Sequence, residues 1–390
     1  MKSILNNMIA RLLLAVFIGI VLGTVVNEPV LKVILAVKQI CGQIIFFLIP
    51  LIIIGFVASS ITSIGKNASR LLGFSFILAY VSSIGAAFGG AWLSYNVLPL
   101  LDIHPVVNTV QHPLPQLFFS LEIPQVMNVM TALFLSVFVG LGVVWIRSKE
   151  IAQLLNQFRN IVLLLVSRVL MPLLPIFIAA NFCVISYQES VSELKIFLPV
   201  ILIIVICHYI WLLILYLSAA LYSGKNSWHV LKYYAPAYFT ALGTMSSAAT
   251  LGVALKCANK SPLLDKDIAD FAVPLFANIH LCGSILTEVF FVSVVSQLLY
   301  GHLIDFQTLS LFIILLGLFA IAAPGVPGGT VLASLGIVFS ILKFDDAGTA
   351  LLITIFALQD SFGTACNVTG DGALTLIVNT FARRQGNIPQ

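Results

Sequence analysis

Four polar residues near the C-terminal end, Asp360, Thr364, Asn367 and Asp371, recur at i, i+4, i+7 and i+11. At about 100° per residue they fall within about 60° of one another, so a helix here carries two carboxylates, an amide and a hydroxyl on one narrow stripe. The flanking segments Leu351–Leu358 and Ala373–Phe381 are apolar, which argues against a helix lying on a water surface. An acid at the centre of a membrane span costs at least ~2.5 kcal/mol, so two on one stripe need a polar interior to face. The stripe therefore reads as a ligand or ion site, or else as a polar lock between helices. A second group, Asn278, His280, Cys282, Ser284, Thr287 and Glu288, precedes it. A lone histidine at a helix interface often serves only as a satisfied hydrogen-bonding residue. Glu288, set among Ile285, Leu286, Val289, Phe290 and Phe291, is harder to explain by packing and is a candidate proton carrier.

Two interrupted apolar segments come before these groups. Tyr234–Leu255 carries Gly243-Thr244-Met245-Ser246-Ser247-Ala248-Ala249-Thr250, and Leu309–Leu342 carries Ala323-Pro324-Gly325-Val326-Pro327-Gly328-Gly329-Thr330. Clustered prolines and glycines break a straight helix, so the second segment reads as two half-helices folded back at a tip, and the first as a weaker case of the same kind. The alternative for each is a kinked ordinary span. Non-helical backbone at membrane depth survives only where protein or a water-filled cavity satisfies it. Ser247 and Pro327 are 80 residues apart, and so are Ser284 and Thr364, which implies an internal repeat of hairpin plus helix. Paired interrupted segments in two repeats point to the binding site of a transporter.

The chain that positions these residues is of membrane type. Of its 390 residues 60% are hydrophobic and 9% charged, against roughly 25% charged in soluble domains. The apolar residues form blocks, Leu12–Val26, Ile40–Ser60, Leu71–Leu98, Met130–Ile146, Ile161–Cys183 and Ile196–Tyr222. Most approach or exceed the ~20 residues that cross a ~30 Å hydrocarbon layer. Helices are then the spanning form, since the ~10-residue alternation of a β-barrel does not occur. The expected class is an all-α membrane protein in the lipid bilayer of the cell inner (plasma) membrane.

The net charge of +4 does not point to a nucleic-acid partner, because basic residues lie mostly between apolar blocks. Lys2, Arg11, Lys66, Arg70, Arg147, Lys149, Arg159, Lys225, Lys232, Lys256, Lys260, Lys266, Arg383 and Arg384 fall at the N-terminus, in alternate loops and at the C-terminus, while of the intervening loops Asp102–His112 has no Lys or Arg and Gln188–Glu193 is acidic. The positive-inside rule puts both termini in the cytoplasm, with Lys32, Lys38, Lys195 and Lys343 as exceptions and Arg168 inside a span. Lys2 is not followed by a small-residue cleavage site, which disfavours a signal peptide. The six cysteines form no CxxC pair, so neither a zinc site nor a disulfide framework is indicated. No GxxxxGK[ST] supports ATP-driven transport. His280, Asp360 and Ser247 could be imagined as a triad, but no nucleophile motif surrounds the serine, and the chain is not read as an enzyme. An ion channel stays open as an alternative, since interrupted hairpins also build selectivity filters.

At these residues the sequence resembles the dicarboxylate/amino acid:cation symporter family. The likeness rests on Ser246-Ser247-Ala248-Ala249-Thr250-Leu251, on Gly325-Val326-Pro327-Gly328-Gly329, and on Asp360…Thr364…Asn367-Val368-Thr369-Gly370-Asp371. It extends over essentially the whole chain in element order. The resemblance implies a homotrimer of eight spans and two re-entrant hairpins, related as inverted repeats, with an elevator motion. Residues 1–229 would be mostly scaffold, with the third span joining a transport core at 230–390: hairpin 1 (230–258), helix 7 (267–300), hairpin 2 (309–342) and helix 8 (345–382). It implies substrate contacts from Ser246, Ser247, Ser284, Val326, Pro327, Gly328, Gly329, Asp360, Thr364 and Asn367, with Asp360 holding the amino group of an amino-acid substrate. It implies Na⁺ ligands at Asn367 and Asp371, and a wider coupling set of His280, Ser82, Ser83, Phe276 and Glu288. No cofactor is implied beyond a coupling ion, Na⁺ or H⁺.

Departures from the pattern carry equal weight. Members that bind acidic substrates place an arginine where Gly363 stands, so a neutral amino acid is favoured over dicarboxylates, aspartate or glutamate. The family's Asn-Met-Asp-Gly-Thr is replaced by His280-Leu281-Cys282-Gly283-Ser284, and Phe356 stands where many members carry an acid. Soft and nitrogen donors suit Na⁺ poorly. Fewer sodium ions per substrate, or proton coupling through Glu288 or His280, are expected.

Overall fold

Apolar chain without a partner strand satisfies its backbone by coiling on itself, and the computed structural model is helical accordingly. It describes residues 8–59, 62, 70–101, 115, 123, 124, 126, 127, 129–187, 197–323 and 327–385, among which no strand occurs. Several residues weighed above therefore lie outside the described residues: Lys2, Lys66, Lys195, the Asp102–His112 and Gln188–Glu193 loops, Pro324, Gly325 and Val326.

The elements run α1 (Met8–Val25), α2 (Glu28–Ile53), α3 (Arg70–Val97), α4 (Val129–Ile146), α5 (Lys149–Leu165), α6 (Met171–Tyr187) and α7 (Phe197–Ser223). After the short α8 (Trp228–Leu231) come α9 (Ala235–Thr244), α10 (Ser247–Lys260), α11 (Lys266–Ile279), α12 (Cys282–Val295), α13 (Phe306–Ala322), α14 (Gly329–Ser340) and α15 (Asp346–Arg384). Side-chain caps start several of them. Asn27 accepts from Val30 N at 3.2 Å, Ser148 from Ile151 N, Asp305 from Thr308 N and Asp345 from Gly348 N. Among the described residues four segments are long and apolar enough to cross a membrane: Arg70–Leu100, Phe197–Ser223, Lys266–Tyr300 and Asp346–Arg384.

Burial separates inner from outer helices. The apolar window of Lys266–Tyr300 is 100% buried and that of α15 83%, against 33% for α3 and for α7. α15 is the hub, packed against α3, α7, α9, α11 and α12. α7 shows why a wholly apolar helix can have one fixed orientation. Val200, Ile204, His208, Leu212, Leu215 and Ala219 point inward, while Leu198, Leu202, Ile206, Ile210, Leu213, Leu217 and Leu221 are exposed on the opposite side. Through that inner stripe α7, which the sequence puts with the 1–229 scaffold, packs on α12 and α15.

Both interrupted segments are helix–tip–helix units. In the first, α9 and α10 pack together and meet at Met245, left-handed at φ 51°, and Ser246, whose Oγ accepts from Ala249 N at 3.2 Å. In the second, α13 packs on α14, and α14 opens at Gly328, whose φ of +70° suits a residue with no Cβ. The helix expected at 267–300 departs from a single rod. It is interrupted at His280-Leu281, between α11 and α12, and closes with a π-helical turn at Ser296–Tyr300. The break frees the first N–H groups of α12, which has no cap of its own from Leu281.

Candidate functional site

All four stripe residues of α15 are buried, between 1% and 4% exposed, and all face protein. Asp360 Oδ2 accepts the Gly328 N–H at 2.7 Å, so the second hairpin tip closes directly on this carboxylate. Thr364 lies one turn on, on the same face of α15. One donor among the described residues leaves acceptor capacity on a group that takes about four, which suits an added ammonium. Asn367 takes over the missing cap. Its Oδ1 accepts from Gly283 N at 2.7 Å and Ser284 N at 3.3 Å, and its Nδ2 donates to Ser284 Oγ at 2.9 Å. Its amide oxygen is thus committed to the start of α12, which counts against a sodium ligand at this position in the present state. Gly283 permits the close approach: a Cβ there would stand 2.6 Å from Cys366 Cβ and from Gly363 O.

Asp371 meets His280. Oδ1 lies 2.8 Å from Nδ1, both side chains are at most 1% exposed, and Nε2 lies 2.9 Å from Ser82 Oγ. This three-residue chain has two hydrogen-bonding states. With neutral imidazole, Nδ1–H donates to Asp371 and the Ser82 hydroxyl donates to Nε2. With imidazolium, Nε2–H donates to Ser82 Oγ, and only the hydroxyl needs to turn. A proton can be held there while Asp371 and both ring nitrogens keep their partners. Ser83 is buried beside Ser82 but its Oγ has no partner among the described residues and stays outside the chain. The Phe276 carbonyl accepts His280 N–H at 2.9 Å, capping α11.

Glu288 is fully buried one turn beyond Ser284 and hydrogen-bonds Ser334 of α14, whose Oγ also donates to Val331 O at 3.0 Å. Oε2 has no partner among the described residues. A protonated Glu288 completes an ordered chain, Glu288 O–H to Ser334 Oγ and Ser334 O–H to Val331 O. Ser247 is 4% exposed at the first turn of α10, while the Oγ of Ser246 is used as that helix's cap. Pro327 and Gly329 flank Gly328 at the second tip. Val326 lies outside the described residues. Three polar residues that the spacing does not single out also sit here. They are Ser334, His208 of α7 (Nε2 at 2.9 Å from Thr287 Oγ1 and 3.1 Å from Gly283 O), and Gln359. The available signal was only that Ser334 and His208 interrupt apolar runs and that Gln359 adjoins Asp360. Among the described residues no group of three or more His, Cys, Asp or Glu could hold a metal ion.

A model of the sodium:dicarboxylate symporter family matches residues 8–381. The chain is 29% identical over 160 residues to the rat Neutral amino acid transporter B(0), covering 41% of this chain and 28% of that protein. It is 29% identical over 252 residues to the bovine Excitatory amino acid transporter 3, covering 63% of this chain and 47% of the relative. To the Putative sodium-dependent excitatory amino acid transporter glt-4 of Caenorhabditis elegans it is 30% identical over 154 residues, 39% of this chain and 30% of the relative. The aligned part thus spans between about a quarter and a half of these relatives' length. The chain belongs to the sodium:dicarboxylate symporter family, a family of membrane symporters and not of enzymes.

Proposed function

We propose that this member of the sodium:dicarboxylate symporter family is a secondary active importer of a small neutral amino acid, driven by a cation gradient in which a proton replaces at least one sodium ion. Asp360 carries the reading. A buried carboxylate that keeps free acceptor capacity beneath a hairpin tip suits an α-ammonium group, and no cation stands beside it at Gly363 to pair a second carboxylate. The matched relatives are named for neutral and for excitatory amino acids, so their names leave the substrate open and Gly363 favours the neutral class. The His280 pair with Asp371, and Glu288 with Ser334, support the proton as coupling ion. With this reading go a homotrimer in the inner membrane, both termini cytoplasmic, eight spans with two hairpins, and a core of residues 230–390 joined by α3 and α7 moving against the remaining scaffold.

The test is uptake into proteoliposomes with sodium and proton gradients imposed separately, and with competition by a panel of amino acids. Uptake should respond to an inside-alkaline pH gradient. Asp360→Ala should abolish recognition of α-amino substrates, and Gly363→Arg should shift competition toward acidic ones. An unchanged competition profile in both variants defeats the assigned pocket. Uptake that ignores pH and tracks sodium with several ions per substrate defeats the proton coupling alone.

A further inference from the structure

The side-chain end of the pocket is the part the family likeness leaves blank, because Gly363 offers no side chain there. On the α15 wheel Gly363 lies at about −60° from Asp360, at the edge of the polar stripe, and Gln359 stands one turn before it on the same edge. The two are in register. A Cβ placed on Gly363 would lie 3.6 Å from Gln359 Nε2, and equally 3.6 Å from Ser284 Cα and N. The Gln359 amide therefore borders the space that a larger residue at 363 would fill, between α15 and the first turn of α12. Gln359 is 0% exposed, yet neither Oε1 nor Nε2 has a hydrogen-bond partner among the described residues.

A wholly buried carboxamide lacking both donor and acceptor partners is costly, and in a native structure it calls for a partner that arrives with the ligand. We propose that Gln359 is a specificity-determining residue: its amide hydrogen-bonds the side chain of the bound amino acid, so that the substrate is a small neutral amino acid bearing a hydroxyl or carboxamide rather than a purely aliphatic one. This deepens the reading of the pocket given above and rests on it. The chemistry fits the position. A carboxamide donates and accepts at once, which matches a hydroxyl or a second carboxamide and leaves no net charge to be compensated. An arginine at 363 would crowd the same space and meet Gln359 Nε2 with another donor. The glycine and the glutamine thus belong to one arrangement.

The experiment compares two isosteres, unlabelled L-serine and L-2-aminobutyrate, as competitors of labelled L-serine uptake into proteoliposomes of the full chain. Wild type should favour serine over 2-aminobutyrate by about 10- to 100-fold in half-inhibitory concentration, the range set by one buried hydrogen bond. In Gln359→Leu that ratio should collapse toward one. A wild-type ratio near one overturns the proposal without recourse to any variant, so a Gln359→Leu protein that fails to fold does not protect it. Loss of both competitors in parallel, with the ratio kept, also overturns it, since that is what a purely structural glutamine or one held by internal water would give. If no labelled α-amino acid is taken up at all, the transporter reading of Asp360 falls as well. If amino acids compete but serine gains nothing, only Gln359 is removed from the pocket.

Discussion

At the scale of single residues the decisive exchange is of oxygen donors for His280 and Cys282. A hard cation such as Na⁺ wants oxygen ligands, and here the carboxylate of Asp371 faces an imidazole nitrogen at 2.8 Å instead. On the proposed reading a protonatable ring in this site makes the proton its guest, with the Ser82 hydroxyl beside Nε2 turning to suit either state. Restoring oxygen chemistry should reverse the preference. His280→Asn combined with Cys282→Asp should lower the half-saturating sodium concentration for uptake by about 10-fold or more, on the scale of changes made directly around a metal, and flatten the dependence on the pH gradient. Sodium titration of uptake at fixed pH reads both. No change in sodium response would mean that Asp371 is only a structural partner of His280.

At the scale of elements, the site is made by helices that begin and end inside the protein. α12 starts at a break with no cap of its own, and Asn367 reaches across from α15 to provide one, an arrangement that needs the backbones to touch at Gly283. Gly283→Ala should therefore lower stability by about 1–3 kcal/mol through overpacking against Cys366 and Gly363 O, seen as a lower unfolding temperature in detergent. A fall of less than a degree would mean that the two helices part easily. The far end of α15 is tied down differently. Arg383 Nε and Nη2 donate to Asp265 at 2.8 Å each, and Asn379 accepts from Asp265 N and donates to Leu263 O. The Arg383 guanidinium, with Asn379 adding to it, holds the Asp265 carboxyl below its ordinary range. Since the folded value is the lower one, the contribution is fully present above the unfolded pKa of ~3.9 and is lost as pH falls through the folded value. Asp265→Asn should cost about 0.5–1 kcal/mol at neutral pH, discounted for partial exposure, and the gap to wild type should close below about pH 4. Much of this architecture was legible in the chain. Periodicity alone aligned Asp360, Thr364, Asn367 and Asp371, and Pro–Gly clustering marked the second tip. The partners were not legible, because periodicity describes one helix at a time. Gly328 N–H under Asp360, Ser82 beyond His280 and Ser334 against Glu288 are contacts between elements 32 to 198 residues apart. The break at His280-Leu281 was hidden for a related reason: its freed backbone groups are satisfied from α15, so no capping residue marks it locally.

At the scale of the whole molecule, the outer surface divides in two. α3 packs on α12, α13 and α15 and so goes with the proposed moving core, yet its Trp92 is 66% exposed. α4 belongs to the proposed scaffold and presents Phe134, Phe138 and Trp145, spaced by four and seven residues, at 57%, 67% and 74% exposure. Apolar surface on a moving core has no fixed protein to cover it and must face lipid at every position of its travel. The same surface on a static scaffold can be covered by a neighbouring copy, and an aromatic stripe is what such a contact favours. The two tryptophans should then differ. In single-tryptophan variants reconstituted into brominated lipid, Trp92 should be strongly quenched. Trp145 should be shielded wherever cross-linking shows the trimer, and become accessible when Phe134 and Phe138 are changed to alanine and the assembly weakens. Trp211, whose Nε1 is buried and whose ring lies 3.0 Å from where a Cβ on Gly85 would stand, is the internal control. Equal quenching of Trp92 and Trp145 in the intact assembly would move the contact between copies away from α4 and leave that stripe to the bilayer.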